Sequence, residues 1–238
     1  MRGMKVSLML TLVLGCTGCV ASTSARYMTR EYEPAQQSGV RPLPQPPVVQ
    51  GPPNTEIYLA SLAQDGSGIH IGSPVDITNN PGYDNQPFFT PDGRAILFTS
   101  MRDGKQTDIY RYSLAAKRTT LIAGTPESEY SPTISPAGML SVVRVELDGH
   151  NTQRLWQFKP DGTSPRVVLE DVKPVGYYAW ADDHTLALFI LGASRAPATL
   201  QLADTLTGRA RIVATDIGRS IQRVPGTGPV PHISFVQR

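Results

Sequence analysis

The sequence lacks the short motifs of common catalytic and nucleotide-binding sites. It contains no GxSxG, HExxH, GxGxxG or P-loop pattern, which argues against a serine hydrolase, a zinc peptidase and a nucleotide-binding protein. Its histidines have no metal-ligand spacing. They are His70, His150, His184 and His232. We therefore expect a protein that is not an enzyme, that uses no metal or cofactor, and that carries its histidines in turns or on its surface.

Cysteine and net charge are also scarce. The only cysteines are Cys16 and Cys19, so no disulfide can cross-link the rest of the chain. Once Arg2 and Lys5 of the leader described next are set aside, 20 basic residues balance 20 acidic ones. A balanced chain offers no excess of positive charge to a phosphate backbone, so nucleic acid is not expected as a partner.

Residues 1–15 have the layout of a secretory signal peptide. Two basic residues precede an apolar run over residues 6–14, which is too short to cross a bilayer as a helix. The run ends in LVLGC, which resembles a bacterial lipobox with Cys16 as the lipidated residue. Cys19 is the alternative acceptor, and an ordinary signal peptide without lipidation is the other alternative.

Residues 16–53 are predicted to form a tether. Seven prolines lie between residues 20 and 53, and the PLPQPP and GPP runs favour an extended polyproline conformation. Pro44 and Pro47 also have the spacing of a PxxP ligand, which is the alternative. The main interpretation is a spacer that joins a lipid anchor to a folded domain at residues 54–238.

From residue 54 the chain reads as short strands separated by turns. The sequence has 21 glycines and 21 prolines, and no helical periodicity extends beyond a single turn. Three segments align with Phe89, Ile134 and Trp180 at matching positions, 45 and 46 residues apart. Each segment supplies two strands, and two further strands follow it. This period with four strands per unit indicates the blades of a β-propeller, an all-β fold.

The turn between the first two strands of each unit supports this interpretation. It reads TPDG in the first unit (90–93) and SPAG in the second (135–138), whereas the third keeps only the acidic DDH (182–184). Proline restricts φ, and Gly93 can adopt a positive φ, so two antiparallel strands can reverse tightly. Because this turn recurs at the same position of the repeat, it is stronger evidence for a hairpin than a single PDG sequence would be.

One segment carries a family resemblance. QPFFTPDGRAILFTSMRDGKQTDIYRYSL (86–114) combines a PDG turn, an apolar strand, an RDG loop and an IY strand. This order resembles the repeat of the TolB-like periplasmic β-propellers, over residues 54–236 with decreasing fidelity. The resemblance implies an exported propeller of four-stranded antiparallel blades that binds envelope proteins, as the Tol-system member binds the peptidoglycan-associated lipoprotein. That member has an α/β domain before its propeller, which residues 20–53 cannot supply, so the resemblance carries the fold rather than that partner.

The strands amount to about four blades. Residues 55–78 supply the second half of a blade, three complete units follow, and residues 220–236 supply the first half of another. The TolB-like propeller has six blades. The sequence therefore predicts either part of a six-bladed propeller, truncated on its C-terminal side, or an open arc whose exposed sheet edges would invite association.

Polar residues recur where the chain enters the innermost strand of each unit. A propeller gathers these entries around its central channel, so they predict a polar ring that binds a peptide, a sugar or a cation. The alternative is that the acids cap turns and the tyrosines pack between blades. The candidate binding residues are Tyr83, Asp84, Asn85, Gln86, Glu129, Tyr130, Tyr177, Tyr178 and Arg219.

Three functions fit these expectations. The preferred one is a non-catalytic lipoprotein, anchored in the periplasm to the outer membrane, whose propeller binds an envelope protein. A propeller that binds carbohydrate or cell wall without turnover is an alternative. A propeller glycosidase is the third, with Asp84 and Glu129 as the only obvious pair of acids.

Labelling cells with a fatty-acid analogue tests the predicted anchor. We expect label on the wild type and on Cys19→Ala but none on Cys16→Ala, because the lipid is attached at Cys16. Label lost only from Cys19→Ala would move the site to Cys19. No label on any of the three proteins would contradict lipidation.

Overall fold

The described part of the chain is all β. The computed structural model describes residues 11–12, 54–194, 196–226 and 230–238. Every regular element within these residues is a strand, and none of them lies in a helix long and apolar enough to cross a membrane. The all-β prediction is confirmed, whereas both cysteines and the predicted tether lie outside the described residues.

A partial sheet and a separate hairpin come first. The elements are β1 (Thr11–Leu12), β2 (Tyr58–Leu59), β3 (Leu62–Asp65), β4 (Gly68–Ile71) and β5 (Val75–Asp76). The partial sheet has the order β1-β2-β5, and β3 pairs only with β4. The pairing of β2 with β5 confirms the predicted half-blade. The β3-β4 hairpin is not predicted, although its DGSG turn (65–68) is visible in the sequence.

Three complete blades follow, each an antiparallel sheet with its four strands in chain order. Blade one contains β6 (Tyr83–Phe89), β7 (Ala95–Met101), β8 (Asp108–Ser113) and β9 (Arg118–Ala123). Blade two contains β10 (Ser128–Ile134), β11 (Leu140–Val145), β12 (Gln153–Phe158) and β13 (Arg166–Val167). Blade three contains β14 (Val175–Trp180), β15 (Thr185–Ile190), β16 (Thr199–Asp204) and β17 (Ala210–Thr215). The predicted four-stranded units are confirmed.

The last described sheet is a half-blade. It pairs β18 (Ile217–Val224) with β19 (His232–Gln237), the two inner strands predicted from the sequence. The first strands of the three blades and β18 are therefore four equivalent inner strands. They hold the candidate site.

Apolar cores fill the spaces between neighbouring sheets. The second strand of each blade contributes to two cores at once, because its successive side chains point to opposite faces. In β7, Ile96 and Phe98 pack toward the first sheet, whereas Leu97 packs toward blade two. Burial on both faces explains why β7, β11 and β15 have mostly apolar sequences rather than alternating ones.

The PDG turn of blade one is built from hydrogen bonds and a left-handed glycine. Gly93 has a φ of 65° and donates its N–H to the Thr90 carbonyl at 2.8 Å. Asp92 accepts from the Thr90 hydroxyl at 2.6 Å and from the Arg94 N–H at 3.0 Å. A Cβ on Gly93 would meet nothing within 4 Å. Glycine is therefore required here by the positive φ angle and not by a lack of room for a side chain.

We expect Gly93→Val to lower the free energy of unfolding by about 1–3 kcal/mol, because a β-branched residue is strained at positive φ. Gly93→Asn should lose less, since asparagine tolerates this conformation. Urea unfolding measures both. Gly66→Val is the matched control, because a Cβ there also meets nothing within 4 Å and its φ is not left-handed. Equal losses from the two valine variants would contradict the assignment.

Candidate functional site

The inner strands of blades one and two contain a bulge followed by proline. Gln86 and Ser131 have positive φ angles of 56° and 53°, and the strand register shifts at both places. A bulge interrupts the hydrogen-bond ladder, so the residue after it need not donate an N–H. That residue is Pro87 in blade one and Pro132 in blade two. The QP and SP dipeptides of the repeat therefore mark bulges.

Gln86 and Tyr178 connect the inner strands of successive blades. Gln86 Oε1 accepts from the Ser131 N–H at 2.8 Å and from the Thr99 hydroxyl at 3.0 Å. The Tyr178 hydroxyl donates to the Ser131 carbonyl at 2.9 Å, and burial raises its pKa. Asn85 Oδ1 accepts the N–H of Gln86 at 2.7 Å. Tyr178 was expected at an exposed channel mouth, but it is buried because it bonds the neighbouring blade.

Asp84 and Glu129 are also buried, with exposed fractions of 0%. Asp84 accepts from the Asn80 side-chain amide at 3.3 Å and lies 3.8 Å from Nη2 of Arg102. Burial raises the pKa of Asp84, although Arg102 opposes the shift. The structure therefore corrects the expectation that the two acids face the channel mouth. Both acids are buried, and their partners are side chains of the protein itself.

The Glu129 carboxylate shares Arg144 with Glu127. Arg144 Nε donates to Glu129 Oε1 at 3.3 Å, and its Nη1 lies 2.9 Å from Glu127 Oε2. The guanidinium lies 4.3 Å from the centroid of the Trp156 ring. The Thr125 hydroxyl donates to Glu129 Oε1, whereas Oε2 has no hydrogen-bond partner among the described residues. Burial raises the pKa of Glu129 to about 7, although Thr125 and Arg144 both lower it.

Tyr83 lies within electrostatic reach of Tyr130, Tyr177 and Arg219 near the strand entries. The pKa of Tyr83 is raised to about 12, mainly by burial. Tyr177 and Tyr130 also raise it electrostatically, whereas Arg219 lowers it. The three tyrosines are half-buried, whereas Arg219 is exposed. The Tyr177 ring also meets Phe189 edge-on at a centroid distance of 5.8 Å. Three further candidate residues, each from a different sheet, therefore lie near Tyr83.

A cavity of 1090 Å³ opens between the inner strands. It is lined by the second halves of β6, β10 and β14 and by β18, and it extends into the groove between blades one and two. Four of the predicted residues line it: Gln86, Tyr177, Tyr178 and Arg219. The other five do not: Tyr83, Asp84, Asn85, Glu129 and Tyr130. The cavity lies beyond the strand entries from which the site was predicted.

Sequence reasoning missed several lining residues further along the strands. Phe88, Trp180, Gln222 and Arg223 come from inner strands, and Arg111 comes from β8. Strand periodicity offers a signal for some of them, because residues two apart point to the same side of a strand. Arg111 on β8 carries no such signal, since only the packing of blades one and two opens that groove to the cavity.

The four histidines are exposed, as predicted. His70 Nε2 lies 3.1 Å from Asp65 Oδ1 in the β3-β4 hairpin. His150 and His184 lie in turns where an aspartate accepts their backbone N–H. Within the described ranges, no group of three or more His, Cys, Asp or Glu side chains is placed to hold a metal ion. The histidines thus have surface positions outside the cavity.

Comparison of the sequence with known proteins gives a short match. No protein-family model matches the chain. The Tol-Pal system protein TolB of Bordetella pertussis is 46% identical over 50 residues, which are 21% of this chain and 10% of that protein. The match therefore covers only a small part of that relative.

Solved structures share the fold over a larger part of the chain. A structure assigned as TolB from Agrobacterium tumefaciens has a TM-score of 0.57 at 15% identity, covering 76% of this chain and 71% of that one. TolB from Acinetobacter baumannii has a TM-score of 0.53 at 16% identity, with coverages of 76% and 49%. A puromycin hydrolase has a TM-score of 0.50 at 18% identity, with coverages of 74% and 29%. The chain has the TolB-like β-propeller fold that its repeat predicted.

The raised pKa of Glu129 predicts that stability falls as pH rises through neutrality. Its folded-state pKa of about 7 exceeds the ordinary 4.5, so between these values the folded state binds more protons than the unfolded state. From about pH 5 to about pH 8, the wild type should lose about 1–3 kcal/mol of unfolding free energy that Glu129→Gln retains.

Urea unfolding at both pH values measures the difference. The exposed Asp183→Asn is the control and should follow the wild type. If the unfolding free energies of the wild type and Glu129→Gln change by the same amount between the two pH values, Glu129 does not titrate as predicted.

Proposed function

We propose that this protein is a non-catalytic lipoprotein of the bacterial cell envelope whose propeller binds another protein through its central cavity. The cavity carries the proposal, because inner strands of all three complete blades and β18 meet around it. Its wall combines apolar side chains such as Phe88, Ile134 and Ile221 with polar ones such as Gln222. An apolar wall with a few polar groups is typical of a ligand site.

A protein partner agrees with the TolB-like fold and with the predicted leader. The matched relative is named a Tol-Pal system protein, which describes a component of a system of several proteins. The signal peptide and lipobox predicted from residues 1–16 support export to the periplasm and anchoring, with the outer membrane as the expected membrane. The likeness does not identify the partner of this chain.

The positions of the acids support a role without turnover. A glycosidase needs two carboxyl groups that face one sugar site. Asp84 and Glu129, the only obvious pair in the sequence, are buried and lie beside Arg102 and Arg144. Among the residues that the structure describes, Asp92 is the single acid that lines the cavity. The cavity therefore favours binding over hydrolysis.

A carbohydrate- or cell-wall-binding propeller is the second candidate. The observation that favours it is the presence of the Tyr177 and Trp180 rings in the cavity wall. Aromatic rings offer flat apolar faces with a polar group at one edge, which suits a sugar as well as a peptide. The ligand captured at the cavity distinguishes the two candidates.

Site-specific photo-crosslinking in cells tests the proposed function. A photoreactive residue replaces either Gln222, which is exposed and lines the cavity, or Leu206, which is 72% exposed on the β16-β17 turn. We expect a crosslink to an envelope protein from position 222 and none from position 206. A crosslink to glycan would favour the second candidate, and equal crosslinking from both positions would contradict a cavity site.

Filling the cavity provides an independent check. Gln222→Trp places a large side chain in the cavity wall and should weaken partner capture at least tenfold, as loss of a binding centre commonly does. Leu206→Trp is the matched control and should capture as the wild type does. Melting temperatures of both variants should stay close to that of the wild type, because both positions are exposed.

A further inference from the structure

We infer that the central cavity binds an extended, carboxylate-rich segment of a protein. This inference rests on the proposed function and adds the chemical class of the ligand. Three arginines among the described residues line the cavity: Arg111 on β8, and Arg219 and Arg223 on β18. Arg111 is more than 100 residues from the other two in the sequence, so the overall charge balance of the chain conceals their concentration in one place.

The protein supplies few carboxylates to neutralise the charges of the cavity arginines. Within residues 54–194, 196–226 and 230–238, none of the three forms a salt bridge. In the described part of the chain the single lining acid is Asp92, which already accepts hydrogen bonds from the Thr90 hydroxyl at 2.6 Å and the Arg94 N–H at 3.0 Å. Arg111 lies close enough to lower the pKa of Asp92, but only as a lesser influence. The wall therefore carries net positive charge.

Three other arginines of the blades have carboxylate partners within the protein. Arg102 lies 3.8 Å from Asp84, Arg144 lies 2.9 Å from Glu127, and Arg154 lies 2.6 Å from Glu146. These pairs neutralise guanidinium groups that are partly or fully buried in the blades. Guanidinium groups bind carboxylates through strong, charge-assisted hydrogen bonds. Carboxylates supplied by a ligand would give the cavity arginines the partners that the other three already have.

The shape and the apolar wall favour a peptide over a sugar acid. Arg219 lies on β18 of the last sheet, whereas Arg111 lies on β8, the third strand of blade one. A ligand that reaches both arginines must span the cavity from one sheet to the other. Phe88, Ile122 and Ile134 also line the cavity, and apolar side chains would leave sugar hydroxyls without hydrogen bonds. A peptide with acidic and apolar side chains matches both features.

Selection from a random decapeptide library, displayed on phage, tests the inference on the full-length protein. Peptides selected by the wild type should be enriched in Asp and Glu at least threefold over the input. Arg219→Gln/Arg223→Gln should lose this enrichment. Arg118→Gln/Arg209→Gln removes the same charge at exposed positions outside the cavity and should retain it. A wild type that selects no acidic peptides, or a double cavity variant that still selects them, would overturn the inference.

A second measurement separates this inference from the proposed function. Selected acidic peptides should bind at least tenfold more weakly when Gln replaces Glu and Asn replaces Asp, and more weakly as salt is raised. Tighter binding of oligogalacturonate, a carboxylate-bearing sugar probe, would overturn the assignment to protein. If position 222 crosslinks to a protein and the double cavity variant captures it as the wild type does, only the inference fails. If position 222 gives no crosslink to a protein, the proposed function fails.

Discussion

Burial of the second strand of each blade on both faces is the constraint on which the rest of the structure depends. Leu97, Val142 and Leu188 are at most 3% exposed, each between two neighbouring sheets. A sheet cannot cover its own two faces, so the apolar side chains on both faces of this strand are buried only when other sheets pack against them. Each blade therefore needs a neighbour. This requirement aligns the inner strands beside one another and creates the space between them.

The same packing determines which polar groups become structural. Once the blades meet, Gln86 and Tyr178 reach the backbone of Ser131 on the neighbouring inner strand. Buried acids are costly unless they are paired and hydrogen-bonded. Asp84 and Glu129 accordingly lie beside arginines of the second-strand region. The two buried acids of the strand entries are therefore structural, whereas Arg219 and Arg223 of β18 are exposed and line the cavity.

Much of the fold could be predicted from the sequence because its signals are local. Apolar runs, the PDG turn at Gly93 and the repeat period each depend on residues close together in the chain. The candidate site was predicted only in part. Tyr130, Tyr177 and Arg219 lie near Tyr83, as the repeat suggests, but matching positions in the repeat could not reveal that Asp84 and Glu129 are buried. The β3-β4 hairpin was missed because it interrupts the repeat.

The sequence by itself determined the strands, their order within each blade and the TolB-like architecture, since strand pairing between chain neighbours follows from periodicity and turn chemistry. Only the tertiary structure decided which polar side chains are buried and which face the cavity. Arg111 and Arg223 come from different sheets, and their place in one cavity depends on the angles and distances between blades. Burial and charge compensation are properties of that three-dimensional arrangement, and no pattern along the chain encodes them locally.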